Sequence, residues 1–230
     1  MLILVPTPID EDGLIHPEAF NSIHSAITSQ PENTLILVED MKPARRRWVH
    51  WGFDRDYIPH LVAYNEHNRH ELKFELISKL KEGKTLFLMS DGGLPAFCDP
   101  GQELVDLCHQ MGIKVTATPF DNSVILAVAL SGFSHQQFRF LGFPPQKSEE
   151  RVEFFKLIKA IPETCVLMDA PYRLKKIVEE LSQHISEREI FFGLDLGTPK
   201  ELLLRGQVAK IIHKIPSEKR EFVIVVAPRL

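Results

Sequence analysis

The sequence has few cysteines and no long hydrophobic run. Its three cysteines, Cys98, Cys108 and Cys165, are odd in number and widely spaced, which excludes a disulfide framework and a cysteine zinc site. No apolar stretch approaches the roughly 20 residues of a membrane-spanning helix. The apolar start at residues 1–5 is too short for a secretory signal and lacks a basic flank. We therefore expect a cytoplasmic protein with no metal and no membrane partner.

The chain also lacks a strong net charge and the common nucleotide-binding and hydrolase motifs. Its formal net charge is −4 over 230 residues, so any contact with nucleic acid must come from a local basic patch. The sequence contains no dinucleotide-binding glycine fingerprint, no phosphate-binding loop of ATPases, no zinc-protease helix and no nucleophile elbow. An ordinary NAD or nucleoside triphosphate site is therefore disfavoured.

Short apolar runs alternate with helical patterns along the chain. In the first half, the runs lie at residues 2–5, 34–38, 85–89 and 113–117, with helical spacing of apolar residues between them. This alternation predicts a mainly parallel sheet covered by helices on both faces. A second series of elements begins near Phe138, with apolar runs at residues 138–143, 164–168, 190–194 and 222–226. In it, Ser148 predicts a helix cap and Gly206 predicts a turn. The sequence therefore predicts two α/β domains, residues 1–118 and 119–230.

The most informative stretch is the loop that follows the run at 85–89. Residues 90–101 read Ser-Asp-Gly-Gly-Leu-Pro-Ala-Phe-Cys-Asp-Pro-Gly. Gly92 and Gly93 allow a ligand to approach the main chain closely. Asp99 followed by Pro100 predicts the capped start of a helix. A glycine-rich loop at the carboxyl end of a strand is where α/β proteins bind ligands, although a plain strand–helix turn also explains the glycine pair.

Other predicted strand ends carry polar residues that admit two interpretations each. Glu39 and Asp40 are either a helix cap or part of a site. The polar cluster at residues 64–68 is either a hydrogen-bonded loop or a substrate-binding loop. A metal site there is disfavoured because His67 and His70 have no evident third ligand. The basic run at 42–47 is either a solvated helix face or a phosphate-contacting patch.

Several of these segments occur in a characteristic order. They are Val5-Pro6-Thr7-Pro8-Ile9, Glu39-Asp40, Asn65-Glu66-His67-Asn68, Ser90-Asp91-Gly92-Gly93-Leu94-Pro95, Asp99-Pro100-Gly101, Gly142-Phe143-Pro144 and Pro171-Tyr172-Arg173-Leu174. With them the chain resembles the tetrapyrrole methylase superfamily of S-adenosylmethionine-dependent methyltransferases. Within it, the chain is similar to the branch of ribosomal small-subunit RNA cytidine 2′-O-methyltransferases. The resemblance implies two α/β domains with the cofactor in the cleft between them, a homodimer and no metal.

The resemblance also implies which residues bind the methyl donor. These are Asp91, Gly92, Gly93, Leu94, Phe97, Cys98, Ser123, Met168, Leu194 and Thr198. The sequence departs from the family pattern in three segments. Residues 119–123 read Pro-Phe-Asp-Asn-Ser where the family has Pro-Gly-Pro-Ser, and residues 169–173 read Asp-Ala-Pro-Tyr-Arg where it has Glu-Ser-Pro-His-Arg. Residues 194–198 read Leu-Asp-Leu-Gly-Thr where it has Arg-Glu-Leu-Thr-Lys, and this third departure removes two positive charges.

The expected reaction needs a base and an RNA-binding surface. A ribose hydroxyl is a poor nucleophile, so its methylation calls for a general base, and the candidates are Glu39, Asp40, Glu66 and His67. We favour Glu66 or His67, because the amides of Asn65 and Asn68 beside them can position a nucleotide. The candidate contacts to the RNA backbone are Lys42, Arg45, Arg46 and Arg47.

Two other functions stay open on the sequence alone. One is a methyltransferase that acts on a tetrapyrrole or another small molecule, which the acidic balance of the chain favours slightly. The other is a non-catalytic, regulatory protein that binds S-adenosylmethionine, which the substituted loops would suit.

Overall fold

A computed structural model describes residues 1–10, 12–120 and 122–229, which form two compact units, residues 1–120 and 121–230. Each unit is built around a five-stranded sheet. The strands are β1 (Leu2–Val5), β2 (Thr34–Val38), β3 (Leu61–Ala63), β4 (Thr85–Met89), β5 (Val115–Ala117), β6 (Phe138–Gly142), β7 (Thr164–Met168), β8 (Glu189–Leu194), β9 (Leu202–Gln207) and β10 (Phe222–Val226). The helices are α1 (Pro17–Ser29), α2 (Met41–His50), α3 (Arg69–Lys81), α4 (Gln102–Gln110), α5 (Ser123–Ser131), α6 (Ser148–Ala160), α7 (Leu174–His184) and α8 (Val208–Ile211).

The sheet of the first unit is parallel throughout and has the order β3-β2-β4-β1-β5. Its strands are continuous apolar runs because both faces are buried. On β4, Phe87 and Met89 pack with α1 and α2, whereas Leu86 and Leu88 pack with α3 and α4. The predicted parallel sheet with helices on both faces is therefore confirmed.

The sheet of the second unit is mixed and has the order β6-β7-β10-β8-β9. β6 and β7 are parallel, and every other neighbouring pair is antiparallel. Helices α6, α7 and α8 cover one face, and α5 covers the other. Because β10 runs against both β7 and β8, the carboxyl ends of those two strands lie at the same edge of the sheet. Met168 pairs with Val223, and Leu194 pairs with Phe222.

Two helix starts differ from the sequence-based prediction. α4 begins at Gln102 with Gly101 at its N-cap and no side-chain cap, so the prediction that Asp99 caps this helix is wrong. Lys147 occupies the N-cap of α6, so Ser148, predicted as a cap, is its first helical residue. Gly101 has a φ of 138°, which a residue with a side chain rarely adopts, and this turn delays the start of α4 by two residues.

Two strands were absent from the prediction. β3 has three residues and follows a 3-10 turn that contains Pro59, so it shows no periodicity of its own. β9 is an edge strand in which Gly206, predicted as a turn, pairs with Ile190. Its φ of 149° lies outside the range of ordinary strands, and a Cβ there would approach Ile211 Cγ2 to 3.1 Å. Glycine fits this close approach of strand and helix α8. None of the helices within the described residues has the length and apolar character that crossing a bilayer requires.

Candidate functional site

The carboxyl ends of β1 and β4 are the point of the first unit's sheet at which the connections change face, and this region is called the crevice below. The two strands are neighbours, and the helices that follow them, α1 and α4, pack on opposite faces of the sheet. Such a switch point is where open α/β sheets bind ligands. Across it, Thr7 and Gly93 exchange backbone hydrogen bonds of 2.9 and 2.8 Å. The Thr7 hydroxyl also donates to the Ser90 carbonyl at 2.9 Å, which fixes the loop after β1 to the loop after β4.

The loop from Gly93 to Gly101 holds an unusual backbone conformation. Besides the two glycines, Ala96 and Cys98 have positive φ values of 65° and 70°. Non-glycine residues in this region are strained, and such strain concentrates at functional sites. The side chains of Phe97 and Cys98 are exposed, so both are open to a ligand.

Three carboxyl groups face one another at the ends of β2 and β4. The Asp91 amide donates to Glu39 Oε2 at 3.4 Å, and burial together with neighbouring acids raises the pKa of Glu39 and that of Asp91. Burial, and then the charges of Glu39 and Asp91, raise the pKa of Asp99 to about 6, although a hydrogen bond with Ser90 opposes the shift. The cluster concentrates negative charge without a full set of cationic partners. A cationic ligand group would be stabilised there.

Helix α2 has a side-chain N-cap, a buried arginine that bonds to the loop after β1, and an exposed basic face. Asp40 is its N-cap and accepts the Lys42 amide at 2.8 Å, so the cap interpretation of Asp40 holds. Arg47 is 5% exposed and donates to the Pro8 carbonyl at 2.9 Å. The prediction that Arg47 contacts RNA is therefore wrong, because its guanidinium ties α2 to the loop after β1. Lys42, Arg45 and Arg46 are exposed on the helix, as a nucleic-acid contact requires.

The loop at residues 65–68 presents Glu66 and His67 outward. Asn68 Oδ1 accepts the Asn65 amide at 2.8 Å, and Asn65 Oδ1 accepts the His67 amide at 3.0 Å. The Asn65 side-chain amide donates to the Glu39 carbonyl at 3.3 Å, which joins this loop to the end of β2. The two asparagines thus form the loop itself. Glu66 and His67 are 74% and 84% exposed, and their Oε1 and Nε2 atoms are 3.6 Å apart.

One further polar residue at this edge of the sheet is absent from the sequence-based prediction of the site. Thr118 is 7% exposed at the carboxyl end of β5, and its amide donates to the Leu4 carbonyl of β1 at 3.0 Å. Among the residues that the structure describes, no group accepts from or donates to the Thr118 hydroxyl. Buried polar atoms are rarely left in this state, and a ligand is one explanation for it.

A small cavity lies beneath the strand ends of the same unit. Thr7, Arg47, Trp48, Ser90 and Asp91 contribute to its lining. Its volume of about 10 Å³ holds at most a single water molecule, so it is packing space and not a ligand pocket.

In the second unit, the predicted cofactor residues lie on separate segments. Ser123 is the first residue of α5, next to Asn122, which caps that helix. Met168 is half-buried at the end of β7, and Leu194 is fully buried in the core at the end of β8. The side chain of Leu194 therefore contacts the core and is closed to a ligand. Asp121, in the loop where the sequence departs from the family, lies outside the described residues.

The loop after β8 is held by its own contacts. Asp195 accepts hydrogen bonds from Arg220 Nε at 2.6 Å and from the Glu221 amide at 3.1 Å. The Thr198 hydroxyl donates to the Asp195 carbonyl at 2.9 Å. Arg220 also donates to the Lys200 carbonyl. The substituted loop is thus ordered by an ion pair even though it lacks the two basic residues that the family pattern has there.

Most of the chain matches a known protein family. Residues 1–212 match the model of the family described as Tetrapyrrole (Corrin/Porphyrin) Methylases. The chain belongs to the tetrapyrrole methylase family. The predicted family and the two-unit α/β fold are confirmed, and the protein is an S-adenosylmethionine-dependent methyltransferase.

Relatives of this tetrapyrrole methylase family member carry one recurring name. A ribosomal RNA small subunit methyltransferase I from Halalkalibacterium halodurans is 31% identical over 227 residues, which are 98% of this chain and 75% of that protein. A protein of the same name from Thermotoga maritima is 33% identical over 220 residues, covering 95% and 93% of the two chains. A crystal structure of diphthine synthase shares the fold at a TM-score of 0.68 and 15% identity, covering 99% of this chain and 89% of that one.

The residues of the crevice fit the cofactor of the tetrapyrrole methylase family. S-adenosylmethionine carries a sulfonium and an ammonium group, and Glu39, Asp91 and Asp99 supply complementary negative charge. The Thr118 hydroxyl, which has no hydrogen-bond partner among the described residues, lies at the same edge of the sheet. Within the described part of the chain, no group of three or more histidine, cysteine or acidic side chains is arranged to hold a metal ion.

Proposed function

We propose that the protein methylates RNA of the small ribosomal subunit, with a cytidine 2′-hydroxyl as the acceptor. The observation that supports this most is the identity of 31% and 33% to ribosomal RNA small subunit methyltransferase I from two organisms, over nearly the whole chain. The basic face of α2 agrees with an RNA substrate, because Lys42, Arg45 and Arg46 are exposed on a helix that contains no acidic residue.

The cofactor is held, in this proposal, by the loops of the crevice. Gly92, Gly93, Leu94, Phe97 and Cys98 line it along the loop after β4, and Asp91 with its neighbouring carboxylates faces the positive charge. When bound, S-adenosylmethionine supplies an electrophilic methyl group on a sulfonium. The protein contributes chiefly by orienting the acceptor in line with that group, since orientation accounts for much of the rate of such a displacement. Ser123, Met168, the Leu194 backbone and Thr198 are the proposed contacts in the second unit.

Glu66 and His67 are the proposed source of the general base. Both are exposed, and the distance of 3.6 Å between them lets the carboxylate orient the imidazole. Asn65 and Asn68 support this pair by forming the loop that carries it. Asp40 is a weaker candidate because it caps α2, and Glu39 is turned toward Asp91. A positioned base contributes typically about 10²–10⁴-fold to the rate.

Transfer of labelled methyl groups tests the proposal. Small ribosomal subunits that lack this modification are incubated with the protein and labelled S-adenosylmethionine, and calorimetry measures donor binding separately. We expect one-site donor binding and label in a single cytidine of the RNA, with the rate reduced at least tenfold in Glu66→Gln or His67→Ala. Donor binding without label in RNA would contradict the RNA substrate, and wild-type rates in both variants would contradict the assigned base.

We also propose that the protein acts as a homodimer in the cytoplasm. Both statements follow from the family resemblance and from an acceptor that resides in ribosomes. Light scattering at low protein concentration tests the first, and a mass equal to one 26.3 kDa chain would contradict it.

A further inference from the structure

Two exposed aromatic side chains lie at one edge of the sheet in the second unit. Phe143 follows β6 and is 53% exposed, and Tyr172 follows β7 and is 63% exposed. Among the described residues of this unit, 122–229, no other aromatic side chain is exposed to this extent. β6 and β7 are parallel neighbours, so the two loops leave the sheet at the same edge. Large aromatic rings in solvent often mark a binding surface.

A single buried guanidinium fixes both of these loops. Arg151 is 1% exposed and donates from Nη1 to the carbonyls of Pro144 and Pro145, at 3.4 and 3.1 Å, in the loop that carries Phe143. From Nη2 it donates to Asp169 Oδ2 at 2.8 Å, in the loop that carries Tyr172. The two rings are therefore presented by backbone segments that share one anchor.

The ion pairs continue from this anchor to the surface. Glu180 accepts from Arg151 Nε at 2.9 Å and from Nη2 at 2.6 Å, which orients the guanidinium from the side of α7. Asp169 Oδ1 lies 3.6 Å from Arg173 Nη1, and the Arg173 guanidinium carbon is 5.4 Å from the centre of the Tyr172 ring. The exposed ring of Tyr172 thus lies next to a cation.

We infer that Phe143 and Tyr172 are a stacking platform for an unpaired base of the RNA, an inference that rests on the proposed RNA substrate and assigns a recognition role to this edge of the sheet. Exposed aromatic rings next to cationic groups are how proteins bind bases in single strands, because every base offers a π face. The charge agrees, since residues 121–230 contain 16 Lys and Arg against 14 Asp and Glu, whereas residues 1–120 contain 11 against 17. Lys175, in the first turn of α7 next to this platform, is exposed.

An apolar protein partner would need a broader surface than two rings beside a charged side chain. An unpaired base needs only a π face and a nearby cation for its phosphate. A stacked base outside the reacting nucleotide would position the RNA on the protein without reading its sequence, because every base offers a π face.

Fluorescence titration with a short, unstructured oligoribonucleotide that contains one pyrrolocytosine tests the inference at a fixed salt concentration. Stacking quenches this base, so the wild type should quench it on binding. Phe143→Ala and Tyr172→Ala should each weaken binding roughly 5- to 100-fold and remove quenching. Tyr172→Phe, which keeps the ring, should bind as the wild type does, and Tyr172→Leu should not. Leu157→Ala is the matched control, because Leu157 is 52% exposed on α6 and is apolar but not aromatic.

Calorimetry with S-adenosylmethionine distinguishes the possible failures. Donor affinity should be unchanged in all variants. Unchanged RNA affinity and quenching in the alanine variants, or loss of donor binding, would overturn the platform and leave the proposed methylation of RNA intact. If the wild type binds no RNA while it still binds the donor, the proposed function and the platform both fail. If Tyr172→Phe loses as much RNA affinity as Tyr172→Ala, the hydroxyl and not the ring accounts for binding, which would overturn the stacking inference.

Discussion

At the scale of single residues, Asp99 is an acid that the fold keeps partly protonated. Its pKa is raised from 3.8 to about 6, so between these values the folded protein binds a proton that the unfolded chain has already lost. Stability contributed by this group is therefore greatest at low pH, and it falls as the pH rises from about 4 to about 6. Well above pH 6 the carboxylate is ionised in spite of its burial, and its repulsion by Glu39 and Asp91 adds to the cost of burying the charge.

Replacing Asp99 with Asn should relieve that repulsion. We expect Asp99→Asn to unfold with about the wild-type free energy at pH 4 and to be about 1–2 kcal/mol more stable at pH 7, after allowance for partial solvent screening. Urea unfolding at a series of pH values measures this difference. Asp106→Asn serves as control because Asp106 is exposed on α4. A difference that does not vary with pH would contradict the raised pKa.

Thr118 permits a separate test of cofactor binding. Its buried hydroxyl has no partner among the described residues, so Thr118→Val removes a desolvated polar group and should leave the unliganded protein as stable or slightly more stable. If the hydroxyl bonds the methyl donor, the same change should weaken S-adenosylmethionine binding about 5- to 10-fold. Calorimetry and thermal unfolding distinguish the two effects, with the exposed Thr116→Val as control. Loss of stability together with unchanged donor affinity would assign Thr118 a structural role.

At the scale of elements, Arg151 joins α6 and α7 to the ends of β6 and β7. Replacing it with Met would leave Asp169, whose side chain is 2% exposed, and Glu180 without their main cation. Breaking a buried ion pair from one side costs about 3–5 kcal/mol, which we expect as the loss of unfolding free energy in urea. Arg139→Met is the control, because Arg139 is 53% exposed in its pair with Glu163 and its loss should cost less than about 1 kcal/mol. Similar losses in both variants would show that burial of the Arg151 cluster contributes little.

The elements also show how far the sequence could predict this fold. β1, β2, β4, β7 and β10 have the predicted limits because each is a short, buried and largely apolar run. β3 and β9 could not be predicted in this way, since their pairing depends on neighbouring strands and not on their own pattern. Asp99 resembled a helix cap because a cap is a local signal. Its position near Glu39, 60 residues earlier in the chain, is a consequence of the sheet order.

The candidate site was predictable where it depends on topology and not where it depends on side-chain contacts. Parallel strands bring their carboxyl ends to one edge, so the predicted sheet places Glu39 and Asp91 at the same edge, and the observed order, in which β2 and β4 are neighbours, brings them together. The hydrogen bonds between Thr7 and Gly93 cross from one loop to another, and no periodicity indicates them. Arg47 belongs to a run of three arginines, and only the packing of α2 separates the buried one from its exposed neighbours.

At the scale of the whole molecule, charge is distributed unevenly along the chain. Residues 1–120 have a net charge of −6, yet the ten residues of α2 include four Lys and Arg and no acid. Because exposed charges more than about 10 Å apart are screened at moderate salt, RNA would respond to this local patch and not to the net charge. In a unit of negative net charge, one strongly basic helix is a preferred region for nucleic acid, which favours binding in a single orientation.

The triple variant Lys42→Ala, Arg45→Ala, Arg46→Ala tests this patch. If each side chain neutralises one phosphate, the slope of log affinity against log salt should fall by about 2, since each contact to a single strand contributes about 0.7. The control removes three positive charges at the opposite, amino-terminal side of β4, by replacing Lys79, Lys81 and Lys84 with Ala. Both variants change the net charge equally, so an equal effect would mean that RNA senses the overall charge. A reduced slope in the α2 variant alone would assign the phosphate contacts to this helix. Unchanged slopes in both variants would mean that Lys42, Arg45 and Arg46 form a solvated helix face that does not contact RNA.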